Sequence, residues 1–486
     1  VVGSYLLLRR LAGKKLAFLA ALLIALDPYF LTHSRRVHLD AILASMMYLS
    51  ALSLLVYVGQ ALPSRRYVLL SGIFAGLACL TKVTAVYLIP FTLLALAGRL
   101  VTTTKERRLV PAALWREGKS FLVWAVAGCA VLFLLWPAMW VRPAFALGEL
   151  VRGVRWGVAV PHGASGSVGD VPVQFFLGKV VSDPGPGFYP LSSLYRVSPI
   201  VFLFFPVSIV FALVGQVRGW LARSKALALW LGVAYILFYV VMISLGAKKL
   251  ESYVLPIFPM LDTLAAVGLF ALLHWLSGRN PGRDGVSHRA LSPLLYAAAI
   301  VGIVLTSVVW LRLFPHYSAY FNPLLGGART ASRLLAFGGG EGLDAVAGYL
   351  NQKEDAENLV VSTPYDRAVF RYYFEGTAQP PSRKHWTGSW LLSDYVVWYL
   401  SYAQRDLPTP EIVDLLESLE PEYVARINGI DYARVYEVPP LVSENVPPIS
   451  NPASVNLADQ ITFLGYDLEE SRVESGGEIG ITLYWQ

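Results

Sequence analysis

The residues with usable chemistry fall in a few short stretches. In Ser34-Arg35-Arg36-Val37-His38-Leu39-Asp40, Arg36 and Asp40 stand four apart and share a face if the segment opens a helix, with His38 beside them. A guanidinium, an imidazole and a carboxylate together can grip a phosphate and orient an acceptor. Equally, Arg36 and Asp40 can simply pair while the long side chains reach toward water. Lys82 follows the run from Gly72 to Thr81, with glycines at 72 and 76 that allow close helix packing. It is either a snorkelling boundary lysine or a point charge aimed at a lipid phosphate. Lys248 and Lys249 precede Tyr253 at the start of another apolar run, as an anion site or as exposed lysines beside an aromatic belt. The stretch 140–198 carries His162, Asp183, Tyr189 and Arg196 among Gly and Pro turns. Its aromatics suit an interface or a sugar face, and His162 also reads as a plain turn histidine. No His-x-x-His or carboxylate cluster has metal spacing, so no metal is expected.

The elements that must position these groups are membrane spans. Of 486 residues 55% are hydrophobic and 15% charged, against roughly 25% charged in soluble domains. The apolar residues come in blocks near 16–32, 39–59, 68–81, 83–98, 120–139, 199–215, 226–245, 253–274 and 290–312. Residues 68–98 are long enough for one tilted helix, but a lysine in mid-bilayer is costly, so two helices breaking at Thr81-Lys82 are expected. Lys and Arg crowd alternate gaps: Arg9 to Lys15, Arg65-Arg66, Arg99 to Lys119, Arg218 to Lys225 and Arg279 to Arg289. Placing these on the cytoplasmic side leaves 33–38, Lys82, 140–198, 246–252 and everything after 312 outside. The formal charge of +7 is then mostly topology, and no nucleic acid is expected as a partner. Cys79 and Cys129 lie inside spans as small packing residues. The chain starts within an apolar run (1–8) without an initiator Met and stops in a strand-like stretch, which reads as a fragment lacking both ends.

Four features in this order resemble the polytopic GT-C glycosyltransferases, in particular the protein O-mannosyltransferase and aminoarabinose-transferase group. They are Arg36-x-x-x-Asp40, the Gly72-to-Lys82 stretch, the Phe-Tyr-Pro loop around Tyr189, and Lys249-Leu250-Glu251-Ser252-Tyr253-Val254-Leu255-Pro256 followed by Pro259. The likeness covers about 1–312, and more loosely Tyr317–Asn322 and Gly338–Asp344. It implies a membrane enzyme that moves a sugar from a polyprenyl-phosphate donor to an acceptor hydroxyl on the outer face, with inversion and without a cofactor. It also implies that the main carboxylate base lies in a loop upstream of Val1. Carried over by position, Asp40, Arg36 and His38 are catalytic candidates; Lys82, Lys248, Lys249 and Tyr253 face the donor phosphate; His162, Asp183, Tyr189 and Arg196 belong to the substrate loop. Cations can stabilise the departing phosphate, and a carboxylate can take the acceptor proton. The implied partners are membrane lipid, the lipid-linked donor and an acceptor of protein, lipid or glycan type. The implied setting is a multi-pass protein of the plasma membrane. A transporter or flippase of a lipid-linked or anionic solute, and an inactive scaffold relative, are the competing readings; no inverted internal symmetry favours the first.

After residue 312 charges mix. Helices are expected near 341–351, 366–374 and 410–419, and strands at 358–362, 393–399, 422–427 and 431–438, with Asn428-Gly429 as a hairpin turn. Gly338-Gly339-Gly340-Glu341-Gly342 lacks a preceding strand and a Lys-Ser/Thr pair, so it reads as a positive-φ loop rather than a phosphate cradle. The fold class is therefore a polytopic α-helical membrane domain (1–312), an outer α/β domain (313–438), a linker (439–455) and the start of a β-sandwich (456–486).

Overall fold

The computed structural model describes every residue except 61–63, 104–109, 160–166, 169–170, 173, 247–248, 278–292, 365–368, 381–389, 391–392, 408–409, 439–447, 458–459 and 469–480. Two compact units result: residues 1–167 with 171–336, and 337–486 with 168–170.

The first unit is helical. Its elements are α1 (Val2–Ala12), α2 (Lys14–Leu26), α3 (Pro28–Ser34), α4 (Leu39–Gly59), α5 (Arg66–Thr81), α6 (Leu88–Thr103), α7 (Val110–Leu135), α8 (Ala138–Val141), α9 (Pro143–Ala159), α10 (Phe188–Arg196), α11 (Pro199–Val217), α12 (Arg223–Ser244), α13 (Phe258–Leu276), α14 (Pro293–Leu311) and α15 (Gly327–Ala331). Among the described residues seven helices are long and apolar enough to cross a membrane, eight if the bent pair α2–α3 counts as one span. The polytopic helical fold expected from the apolar blocks is the one observed. The run at 16–32 is not one rod, however. It bends by 60° between α2 and α3. Asp27 is extended there (φ −65°, ψ 122°), Pro28 follows it, and Asp27 caps α3 by accepting from the Phe30 amide at 2.5 Å.

The break at Lys82 is present. Lys82 is extended (φ −159°, ψ 141°), and a 3₁₀ turn, Val83–Tyr87, leads into α6. Upstream, the glycines let α5 and α7 touch backbone to backbone. A Cβ on Gly72 would lie 2.4 Å from the Trp124 carbonyl oxygen, and one on Gly76 would lie 2.7 Å from that of Gly128. Another 3₁₀ turn, Glu251–Ile257, introduces α13. The long segment between α7 and α11 is less loop-like than its Gly and Pro content suggests. It holds α9, α10 and an antiparallel hairpin of Gln174–Phe176 with Lys179–Val181.

Residues 313–336 stay with the helical unit, so the division falls after Ala336 and not at 312. The reason is local bonding. The Asn322 amide donates to the Tyr195 carbonyl at 2.7 Å, and Arg196 reaches the Ser318 and Tyr320 carbonyls.

The second unit holds a five-stranded mixed sheet. Its order is Thr377–Gln379, Val360–Ser362, Tyr395–Tyr399, Ile430–Glu437, Tyr423–Ile427. The first three strands run parallel and the last two antiparallel. Its helices are α16 (Leu343–Leu350), α17 (Arg371–Tyr373), α18 (Leu400–Ala403) and α19 (Pro410–Ser418). Val413 and Leu416 of α19 pack on Val396, Trp398 and Tyr436. Asn428 and Gly429 take φ of 51° and 76°, the doubly positive turn that matches strand twist. Gly338, Gly340 and Gly342 also have positive φ, at 93°, 104° and 83°. A separate three-stranded sheet, Asn451–Leu457, Ile461–Leu468 and Ile481–Trp485, closes the chain. Its first strand begins inside the stretch read as linker, since Pro452 is tolerated on an edge strand.

Candidate active site

The site is assembled from three helix interruptions. His38 ends the α3–α4 turn and caps α4, its Nδ1 lying 3.4 Å from the Asp40 amide. That cap places Asp40 in the first turn of α4, only 2% exposed, where its charge also favours the helix N-terminus. Lys82, released from α5 by the extended break, donates to Asp40 Oδ1 at 2.7 Å. Its Nζ also lies 4.1 Å from the centre of the Tyr253 ring, a cation–π arrangement. Tyr253 belongs to the 3₁₀ turn before α13, and its carbonyl accepts from the Tyr239 hydroxyl at 3.1 Å. Ser252 of the same turn lies against the Asp40 carboxylate. Oδ2 of Asp40 is 3.2 Å from His38 Nδ1. Asp40, His38, Lys82 and Tyr253, spread over two hundred positions in the sequence, thus meet. Arg36 is exposed on the adjoining turn and acts electrostatically on the buried His33 and Tyr29.

A second cluster holds the Glu251–Ile257 turn from the other side. Arg196 grips Glu251 with Nε at 2.5 Å and Nη2 at 2.8 Å, while Nη1 donates to the Ser318 and Tyr320 carbonyls at 2.7 and 2.8 Å. Its guanidinium also covers the Phe321 ring at 3.8 Å. Lys249 is buried and donates to the Ser244 carbonyl at 3.1 Å and the Gly246 carbonyl at 2.5 Å, with Asp183 Oδ1 at 3.6 Å. Asp183 itself accepts from the Gly185 amide at 2.9 Å. Tyr189 is fully buried, and its hydroxyl accepts from the Leu250 amide at 3.3 Å; burial pushes that phenol up. These four residues therefore surround the backbone that presents Tyr253, rather than the Lys82 ammonium itself. His162 and Lys248 lie outside the described residues.

Sequence reasoning passed over Glu251 as a site residue, although it is the sole carboxylate between Asp183 and Asp262. In a stretch so poor in anions, the nearest buried cation had to find it. It also passed over Asp27 and Asp262. Both are buried, they interact electrostatically, and each keeps one oxygen without a hydrogen-bond donor among the described residues. An ionisable residue inside an apolar span was the available signal. Among the described residues no group of three His, Cys, Asp or Glu side chains has metal-holding geometry.

Residues 1–140 match the model of the family described as dolichyl-phosphate-mannose-protein mannosyltransferase, a segment that contains Arg36, His38, Asp40 and Lys82. The likeness to the GT-C glycosyltransferases drawn from the motifs is borne out over that segment. Among solved structures, ArnT from Cupriavidus metallidurans bound to undecaprenyl phosphate is 15% identical, with 89% of this chain and 81% of that chain covered at a TM-score of 0.41. The archaeal oligosaccharyltransferase AglB from Archaeoglobus fulgidus, in complex with an inhibitory peptide and a dolichol-phosphate, is 16% identical, with 91% and 62% covered at a TM-score of 0.39. This chain therefore spans less than two thirds of the archaeal protein's length. No curated protein matches the chain.

Proposed function

We propose that this chain is a membrane glycosyltransferase that moves a sugar from a polyprenyl-phosphate donor to an acceptor hydroxyl at the extracytoplasmic face, with inversion at the anomeric carbon. The observation that carries the reading is the Lys82 ammonium, held by Asp40 at 2.7 Å and by the Tyr253 ring at a helix break within a span. An ammonium has three N–H donors. Asp40 takes one, and the side chain stays 24% exposed, so donors remain for a lipid phosphate. In a water-poor pocket such a cation stabilises the charge that grows on the departing phosphate far better than it would in water. Asp40 fixes where the ammonium sits, and Tyr253 supplies an apolar wall with a negative face. The match of residues 1–140 to a mannosyltransferase family supports a sugar as the transferred group. The distribution of Lys and Arg supports a plasma-membrane orientation with the C-terminal unit outside.

The test is transfer from polyprenyl-phosphate mannose, glucose or aminoarabinose by the full-length protein in lipid nanodiscs. Lys82→Ala should cut turnover by about 10²–10³-fold. Because it strands Asp40, the double variant Asp40→Asn/Lys82→Met serves as the fold control and should be equally inactive. Undiminished transfer by both variants would remove Lys82 from the chemistry.

A transporter or flippase is favoured by one observation, the broken span α2–α3 with Asp27 at its bend. Donor movement across a vesicle membrane without sugar release would select that reading.

A further inference from the structure

We propose that Tyr87, Tyr235 and Tyr239 are positioning residues of the transfer site: their hydroxyls tie the turn after Lys82 and the turn that bears Tyr253 to α12, and so fix where the Tyr253 ring stands against the Lys82 ammonium. This rests on the transferase reading above. Two prolines create the need. In a 3₁₀ turn the carbonyl of residue i accepts from the amide of residue i+3. In the turn Glu251–Ile257 and the start of α13, the residue three after Tyr253 is Pro256, and the residue three after Pro256 is Pro259. Proline has no N–H. The Tyr253 and Pro256 carbonyls therefore lose the donors that 3₁₀ geometry would give them, and a buried carbonyl needs a partner. Two tyrosines of α12 reach these same oxygens. The Tyr239 hydroxyl donates to the Tyr253 carbonyl at 3.1 Å, and the Tyr235 hydroxyl donates to the Pro256 carbonyl at 3.3 Å. Tyr235 and Tyr239 stand four apart and so share a face of α12, which lets both serve one turn.

The same block reaches the other helix break. Tyr87 closes the 3₁₀ turn that follows Lys82, and its hydroxyl donates to the Tyr235 carbonyl at 2.6 Å. Its ring meets the Tyr239 ring edge-on at 5.0 Å and the Tyr235 ring edge-on at 5.5 Å. The Tyr235 and Tyr239 rings are stacked at 6.4 Å. All three side chains are buried. The turns next to Lys82 and under Tyr253 are thus anchored to one helix. Asp40 fixes the ammonium at 2.7 Å, and the Tyr239 hydroxyl fixes the backbone of the residue whose ring faces that ammonium at 4.1 Å. Without that hydroxyl the Tyr253 carbonyl has to seek another donor, and the turn shifts to find it. The ring then leaves the ammonium, and the cation–π contact weakens with it.

Tyr239→Phe is the informative variant, since it keeps the ring and removes only the donor. In the full-length protein in nanodiscs the donor KM should rise by about two- to fivefold, the worth of a cation–π contact, with kcat within about twofold of wild type. In a Tyr253→Leu background the same substitution should leave the donor KM unchanged, because it acts through that ring. Tyr235→Phe should show the same pattern with a smaller rise. Tyr57→Phe removes a buried hydroxyl's hydrogen bonds with Glu117 and Ser120 near the far end of α4, and should leave the donor KM at the wild-type value. A wild-type donor KM in both Tyr239→Phe and Tyr235→Phe, the same rise with and without the Tyr253 ring, or an equal rise in Tyr57→Phe overturns the assignment and leaves the transferase reading standing. A wild-type protein that consumes none of the three donors overturns both.

Discussion

The helical unit contains two cation–carboxylate pairs that look alike in a contact map and differ in what they leave over. Arg196 spends its guanidinium on both Glu251 oxygens and two backbone carbonyls, with an aromatic ring over its face. Among the described residues the Lys82 ammonium makes one hydrogen bond, to Asp40, and is partly open to solvent. The first pair joins three distant segments at 196, 251 and 318–320, and its geometry suits a planar fork. The second holds a compact charge with bonding capacity to spare. A saturated cation fixes the fold; an unsaturated one at the same kind of helix interruption can receive a ligand.

That contrast can be broken experimentally. The largest effect should come from Arg196→Ala, which strands Glu251 and two backbone carbonyls and should cost about 3–5 kcal/mol in thermal unfolding. Arg196→Lys should recover little, because an ammonium cannot reproduce the fork. If either variant keeps wild-type stability but loses donor binding, the roles of the two pairs are reversed. Asp40→Asn/Lys82→Met should show the opposite profile, with transfer lost by about 10²–10³-fold and stability nearly kept. Tyr253→Phe preserves the ring and should change donor affinity little, whereas Tyr253→Leu removes the cation–π contact and should weaken it by about 1 kcal/mol, measured as a donor KM.

The smallest effect belongs to a third pair, Lys353 with Glu422 in the second unit, where both side chains are partly exposed. Burial pushes the Glu422 carboxyl up, but hydrogen bonds from Lys353 and Tyr349 outweigh it and hold the group below its ordinary value of 4.5. A depressed carboxyl stabilises the fold above its unfolded value and loses that contribution as pH falls through the folded one. Lys353→Met should therefore flatten the acid-side fall in stability below about pH 4.5, by under about 1 kcal/mol after solvent screening. An unchanged acid slope would show that this pair carries no weight.

Much of this was legible in the chain. The break at Lys82 followed from the cost of a lysine in hydrocarbon. The glycines at 72 and 76 announced the close approach of α5 and α7, and Asn428-Gly429 announced its turn. The family resemblance set Arg36, Asp40, Lys82 and Tyr253 in one site; Asp40, Lys82 and Tyr253 do meet, and Arg36 is exposed on the adjoining turn. Other features were not readable. The bend at Asp27 was hidden because an apolar run reads as one rod until a capping carboxylate and a proline are weighed together. The strand Thr377–Gln379 is three residues long and lies at a sheet edge, too short for a periodic signal. Glu251 was overlooked because its partner lies 55 positions away, beyond any local pattern.

The length of α5 carries a further consequence. Its sixteen residues rise about 24 Å, less than the roughly 30 Å of bilayer hydrocarbon. A helix of that length, set across the bilayer from its Arg66 end, would leave Lys82 in a recess below the opposite headgroups. The donor of the proposed reaction, tethered by an isoprenoid, would reach that depth without leaving its leaflet, because its phosphate need descend only a few ångströms. The acceptor has the harder journey. Under the proposed transferase function a compact folded surface could not dip into such a well, so the acceptor hydroxyl would arrive on something slender: an extended peptide, a glycan end or another lipid.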